Sequence, residues 1–222
     1  MSEMEDLNKN DGTTGAITRR RFIMGVIAGG AVVGAASYRF LAPGRARPWP
    51  SASVGERLIT LNVNGKLRRV DVMKQETLAQ TLRYKLGLTG TKVACDRAEC
   101  GSCTVLLDGV PYYSCSVLTH TVRGRKVTTI EGLAAADGTL HPLQKGIVDE
   151  QGFQCAYCMT GFTMAALAYL KAHPNPTRAQ MAYGVSGNLC RCQDYTKILD
   201  ALMRGAEYMR TGAPAAGPVR RA

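Results

Sequence analysis

The chain has 222 residues, 45% of them hydrophobic and 20% charged, and a formal net charge of +11. That length holds one large domain or two small ones, and the basic balance invites a nucleic-acid partner. The cations are scattered, however, and Arg68-Arg69 and Arg123-Gly124-Arg125-Lys126 are short clusters without interleaved aromatics, which argues against a nucleic-acid groove and for a solvated or protein-docking face. The eight cysteines fall into two local sets of four with none left over, which points to two small domains, each stabilised by a metal centre.

In chain order, residues 1 to 17 are polar and acidic with little to bury, the composition of a disordered end. Thr18-Arg19-Arg20-Arg21-Phe22-Ile23-Met24 leads into an apolar run, Phe22 to Tyr38, that looks like a twin-arginine export signal. The run is short against the roughly 20 residues of a bilayer span, and Gly25, Gly29, Gly30 and Gly34 weaken its hydrophobicity. An uncleaved membrane tether is the alternative, while Gly34-Ala35-Ala36 and Ser51-Ala52-Ser53 both offer small residues for cleavage. The twin-arginine route carries folded proteins to the periplasm, which lets metal enter in the reducing cytoplasm and protect the thiols. Residues 39 to 56 form a Pro/Gly/Arg linker carrying Trp49.

The first domain is expected over residues 57–132. Leu58 to Val63 alternates apolar and polar residues, Asn64-Gly65 signals a type I′ turn, and Leu67 to Val72 answers as the second strand. Thr77 opens a helix bearing Leu78, Leu82 and Leu86, which Gly87 ends. Thr104 to Leu107 and Val110 to Tyr113 flank Asp108-Gly109 as a second hairpin, and Lys126 to Ile130 supplies a last strand. Strands with one helix and a cysteine loop make this a compact α+β unit.

From about Leu140 the pattern is helical, a second domain over residues 138–211. Helices are expected from Phe162 to Ala172, stopped by His173-Pro174-Asn175-Pro176, from Thr177 to Tyr183, and from Tyr195 to Tyr208. The tail from Thr211, residues 212–222 above all, reads as loose. Met159 and Met164 read as core filling. His120, His141 and His173 stand alone, His141 before Pro142 reads as structural, and no Ser/His/Asp set or carboxylate pair suggests substrate chemistry.

The strongest signal is Cys95-Asp96-Arg97-Ala98-Glu99-Cys100-Gly101-Ser102-Cys103, closed by Cys115. Three cysteines spaced C-x4-C-x2-C with a fourth further on form the plant-type pattern for a [2Fe-2S] cluster. Gly101 lets the backbone approach such a cluster and aim N–H groups at sulfur. Zinc and disulfides compete, but structural zinc usually joins two C-x2-4-C knuckles, and three cysteines within nine residues are poorly placed to bridge distant segments. The second set is a C-x2-C pair, Cys155 and Cys158, with a C-x-C pair, Cys190 and Cys192, each just before a helix whose N-terminus favours negative charge. A four-cysteine zinc site stays open there. An oxidised [2Fe-2S] unit with four thiolates carries a net charge of −2, so two of them lower the chain to about +7.

The runs Gly90-Thr91-Lys92, Cys95 to Val105, Thr129-Ile130-Glu131-Gly132-Leu133, His141-Pro142, Gly152-Phe153-Gln154-Cys155 and Gly187-Asn188-Leu189-Cys190-Arg191-Cys192 resemble the iron-sulfur small subunit of the xanthine dehydrogenase/aldehyde oxidase family of molybdenum hydroxylases. With the export signal, the chain is most similar to iron-sulfur subunits of periplasmic aldehyde oxidoreductases. The resemblance implies a β-grasp [2Fe-2S] ferredoxin-like domain followed by an all-α four-helix [2Fe-2S]-binding domain. It implies electron transfer from molybdopterin on a large partner subunit to a proximal cluster on Cys155, Cys158, Cys190 and Cys192, then to a distal cluster on Cys95, Cys100, Cys103 and Cys115, then to an FAD-binding subunit or a c-type cytochrome. It also implies that Gln154 hydrogen-bonds the pterin and that Cys192 is the ligand nearest to it. Ala98 and Ala156 stand where the family commonly has Gly, and Met159-Thr160 and Gln193-Asp194 also depart from its pattern. A free-standing periplasmic [2Fe-2S] carrier is the alternative function.

Overall fold

The computed structural model describes residues 19–41 and 57–212, and the chain divides into two units, Met1–Val54 and Gly55–Ala222. The first holds one helix, α1 (Arg19–Leu41), which starts at the twin arginine and contains the whole apolar run. No helix among the described residues is long and apolar enough to cross a membrane. Residues 39–41, expected to begin the linker, are instead the end of α1; the rest of the linker with Trp49 and Ser51-Ala52-Ser53, the acidic end and residues 213–222 lie outside the described residues.

The second unit opens with β1 (Leu58–Val63) and β2 (Lys66–Asp71), paired antiparallel across Asn64-Gly65. Both turn residues have positive φ, +53° and +74°, as a type I′ turn requires. β3 (Thr104–Leu107) and β4 (Val110–Tyr113) form the second hairpin, over Asp108 and Gly109 at φ +54° and +88°. β5 (Lys126–Thr128) pairs parallel to β1 and antiparallel to β3, giving a mixed sheet ordered β2-β1-β5-β3-β4. The strand expected to reach Ile130 stops two residues earlier. There Asn64 takes over from the ladder, its Oδ1 accepting the Thr129 N–H at 2.9 Å while its Nδ2 donates to Thr129 Oγ1 at 2.9 Å.

The helix expected from Thr77 is α-helical only over α2 (Leu78–Gln80), where Thr77 and Gln80 form a reciprocal capping box. It widens into a π-turn at Thr81–Lys85. The wider turn accompanies two bonds to the buried Glu76 carboxylate, from Thr81 Oγ1 at 2.6 Å and from Lys85 Nζ at 2.5 Å. Ile59, Leu61, Val63, Leu78, Leu82, Val105 and Leu107 close the core between this helix and one face of the sheet.

Four helices follow: α3 (Pro142–Asp149), α4 (Met159–Ala172), α5 (Arg178–Gly184) and α6 (Tyr195–Thr211). His141 caps α3, its Nδ1 accepting the Leu143 N–H at 3.2 Å, with Pro142 in the first turn where a missing N–H costs nothing. Thr211, expected to begin the loose tail, is the last residue of α6, where its hydroxyl donates back to the Glu207 carbonyl. Met159 and Met164 are buried in the helical core with Phe162, Ile198 and Leu202. All four residues of β3 are buried because successive side chains point to opposite faces. Val105 and Leu107 enter the core under the sheet while Leu106 joins the helical one, so the two cores share a strand.

Candidate metal centres

The first tetrad sits on the loop between α2 and β3 and on the residue two past β4. Cys103 and Cys115 are buried against Ala79, Val93 and Tyr113, and Cys95 and Cys100 are half-buried. The loop is tightly wound: Asp96, Ala98 and Gly101 have φ of +52°, +60° and +70°. That winding turns amides toward sulfur. Ala98 N–H donates to Cys115 Sγ at 3.4 Å and Glu99 N–H to Cys95 Sγ at 3.4 Å. Burial pushes the Cys95 thiol up, but the N–H groups of Arg97, Glu99 and Cys100 outweigh it and bring it down to about 7. Cys103 is pushed up to about 12 by burial and by its neighbour Cys115.

The second tetrad joins the loop before α4 to the loop before α6. Cys158 is the N-cap of α4, and Cys190 N–H donates to the Tyr195 hydroxyl in the first turn of α6 at 3.0 Å. Cys158 and Cys190 are buried, whereas Cys155 is exposed and Cys192 half-exposed. Cys158 is pushed up to about 12 by burial and by Cys190, and the Tyr157 N–H lowers Cys155. Gln154 is exposed beside this outward pair, its Nε2 donating to Asp194 Oδ2 at 3.3 Å.

Within each tetrad thiols from distant segments come together: Cys103 and Cys115 are buried in one cluster, Cys158 and Cys190 share the helical core, and Cys155 Sγ lies 3.4 Å from Cys192 Sγ across 37 residues. Among the described residues, no group of three or more His, Cys, Asp or Glu converges as a single metal ion would need. Four thiols at each site, with amides turned toward sulfur at the first, are a donor set that fits a [2Fe-2S] cluster.

The tetrads are neighbours. A cavity of about 640 Å3 is lined by Cys95 and Cys100 from one and by Cys155, Cys158 and Cys190 from the other, with Tyr157 and Tyr195. Hydrogen bonds cross between them: Leu189 N–H donates to the Cys100 carbonyl at 2.9 Å, and Tyr157 Oη donates to the Val93 carbonyl at 2.7 Å. Sequence reasoning missed the tyrosines, whose contacts span 64 residues for Tyr157 and 74 for Tyr113 and leave no local pattern.

Residues 61–129 match the model of the 2Fe-2S iron-sulfur cluster binding domain family, and residues 129–203 match that of the [2Fe-2S] binding domain family. The chain is 43% identical over 152 residues to one of the subunits of nicotinate dehydrogenase from Pseudomonas putida, covering 68% of this chain and 96% of that one. It is 38% identical over 168 residues to an aldehyde oxidoreductase iron-sulfur-binding subunit of Escherichia coli, covering 69% and 73%. Among solved structures, quinoline 2-oxidoreductase from Pseudomonas putida 86 aligns at a TM-score of 0.66 with 39% identity, over 70% of this chain and 96% of that one. With two cysteine tetrads, two matching domains and relatives matched over most of their length, this chain belongs to the xanthine dehydrogenase/aldehyde oxidase family of molybdenum hydroxylases, as an iron-sulfur electron-transfer subunit.

Proposed function

We propose that the eight cysteines ligate two [2Fe-2S] clusters, Cys155, Cys158, Cys190 and Cys192 a proximal one and Cys95, Cys100, Cys103 and Cys115 a distal one. The observation that carries this is that each tetrad lies whole within a matched [2Fe-2S] domain, residues 61–129 for the first and 129–203 for the second. A bound cluster takes up and gives back one electron at a time, which lets a two-electron oxidation be unloaded in single steps. Electrons enter from the large partner through the Cys155/Cys192 face, the more exposed of the two second-tetrad pairs. Gln154, held beside that face by Asp194, serves as the hydrogen-bonding contact to the pterin, and Cys192 as the ligand nearest to it.

The names of the relatives and of the solved structure point to aldehydes or N-heterocycles, such as nicotinate and quinoline, as the substrates of the complex, bound on the partner. The distal domain, read as a β-grasp ferredoxin, passes the electrons to an FAD-binding subunit or a c-type cytochrome. The Arg19-Arg20 pair at the start of α1 supports export of the folded, metal-loaded chain to the periplasm, with α1 as signal or tether. Co-expression with the adjacent genes tests the whole reading. The expected result is about four irons per chain with equal acid-labile sulfide, co-purifying with a molybdenum-bearing polypeptide. Zinc without labile sulfide, or recovery of this chain alone, overturns it.

A further inference from the structure

We propose that Asn188 is a positioning residue for electron transfer, fixing the separation of the two cysteine loops; this rests on the two-cluster reading above. Asn188 is 4% exposed and stands two residues before Cys190. Its Nδ2 donates to the Gly101 carbonyl at 3.0 Å, across 87 residues of sequence. Gly101, between Cys100 and Cys103, already has that carbonyl aimed by Thr104, whose N–H donates to it at 3.1 Å and whose hydroxyl donates at 2.6 Å. The acceptor is therefore held by its own loop, and Asn188 is the group that reaches it from the other.

The contact has no slack. A Cβ on Gly101 would lie 2.3 Å from Asn188 Nδ2, and a Cβ on Gly161, in the first turn of α4, would lie 2.1 Å from the Gly101 carbonyl oxygen. Three segments thus interlock at one carbonyl: the first cysteine loop, the start of α4, and the approach to Cys190. The residues flanking Asn188 are tied to the same domain. Gly187 accepts the Tyr113 hydroxyl at 2.9 Å, and Leu189 N–H donates to the Cys100 carbonyl at 2.9 Å. Within this clamp Asn188 supplies a side-chain bond from the approach to Cys190, beside the one Tyr157 makes from the other second-tetrad loop, and it needs a short neutral donor. Aspartate would set a carboxylate against the carbonyl oxygen, and alanine would leave a gap. Electron transfer falls steeply with distance, so loosening this clamp slows transfer without touching any cysteine.

The test uses the assembled holoenzyme, comparing wild type with Asn188→Ala and with the isosteric Asn188→Asp. Each is read for iron content, for the EPR signals of the two reduced clusters and their mutual magnetic splitting, and for the rate of inter-cluster transfer in a single turnover. The expected result is full iron and both signals retained, with the splitting altered, transfer slowed several-fold and KM unchanged. If Asn188→Ala loses iron, Asn188→Asp, which keeps the shape and removes the donor, carries the comparison; loss of iron in both counts against a purely positioning role. Unchanged splitting and transfer rate in fully loaded variants overturn the proposal. A wild type without two iron-sulfur signals would instead refute the two-cluster reading, a different result from two intact signals indifferent to residue 188.

Discussion

The Ala98 amide donates to Cys115 Sγ at 3.4 Å across 17 residues, and it does so from a left-handed backbone with φ +60°. Ala156, between Cys155 and Cys158, has the same conformation at φ +58°. Each stands where the family commonly has glycine, and each carries a methyl group in a region that costs L-residues roughly 1–2 kcal/mol. Ala98→Gly and Ala156→Gly relieve that strain but lose about 0.5–1 kcal/mol through added chain freedom. The expected net effect on thermal unfolding of the holoprotein is close to zero or slightly stabilising. Ala156→Val, β-branched at positive φ, is expected to cost more than either and to shed iron from the second tetrad on gel filtration.

Cys192→Ser removes one of the outward thiols of the second tetrad and leaves the first untouched. Reduced enzyme should then keep one of two EPR signals, with iron falling from about four to about two per chain. Survival of both signals would show that Cys192 is not a ligand.

The first tetrad and most strands were legible because their information is local. C-x4-C-x2-C fits one loop, and Asn64-Gly65 and Asp108-Gly109 encode turns that need two positive φ values in a row. What was not legible depends on distant residues. The early end of β5 depends on Asn64, the π-turn after α2 involves the buried Glu76, and the junction of the tetrads depends on Tyr113, Tyr157 and Asn188. Gly101 was read as making room for a cluster. The structure adds a second reason, since its missing Cβ is the space Asn188 occupies. α3 lies where the helical pattern was read to begin, at about Leu140, but its bounds were not legible because it has only eight residues and a glycine near its centre.

That glycine is Gly146, and a Cβ there would lie 2.4 Å from the Gly205 backbone nitrogen in α6. The two helices meet backbone to backbone, so a methyl group has no flexible side chain to displace. Gly146→Ala gains up to about 1 kcal/mol in helix propensity against an overpacking cost of roughly 1–3 kcal/mol. The expected result is a net loss of stability, seen as a lower denaturation midpoint of the holoprotein with both EPR signals intact in the fraction that remains folded.

Glu76 is 3% exposed and accepts from Lys85 Nζ, Thr81 Oγ1 and the Met73 N–H. Burial pushes its carboxyl up, but those donors outweigh burial and hold it below the usual carboxylate range. A depressed carboxylate contributes stability that is fully present above the unfolded value of about 4.3 and is lost as pH falls through the folded one. Glu76→Gln leaves Lys85 without its anionic partner, though still bonded to the Asp71 carbonyl, and is expected to cost about 2–3 kcal/mol at pH 7, at or below the low end for a fully buried pair because Lys85 is partly exposed. The difference from wild type should shrink as pH is lowered below about 4.

His141 gives a second pH dependence of the same sign by a different route. Burial, and then the nearby Lys171, lower its pKa from the usual histidine value, so the folded chain holds it neutral. Only the neutral ring leaves Nδ1 able to accept the Leu143 N–H; a proton there deletes the cap of α3. Because the unfolded chain binds that proton first, stability is present above about pH 6.5 and is lost as pH falls toward the lower folded value. His141→Asn keeps an acceptor that does not titrate, so its denaturation midpoint should fall less than the wild type's between about pH 6.5 and 5. His141→Ala should cost about 1 kcal/mol at pH 7.5, where the wild-type cap is intact. Equal slopes for wild type and His141→Asn over that interval would show that protonation of His141 is not what loosens α3.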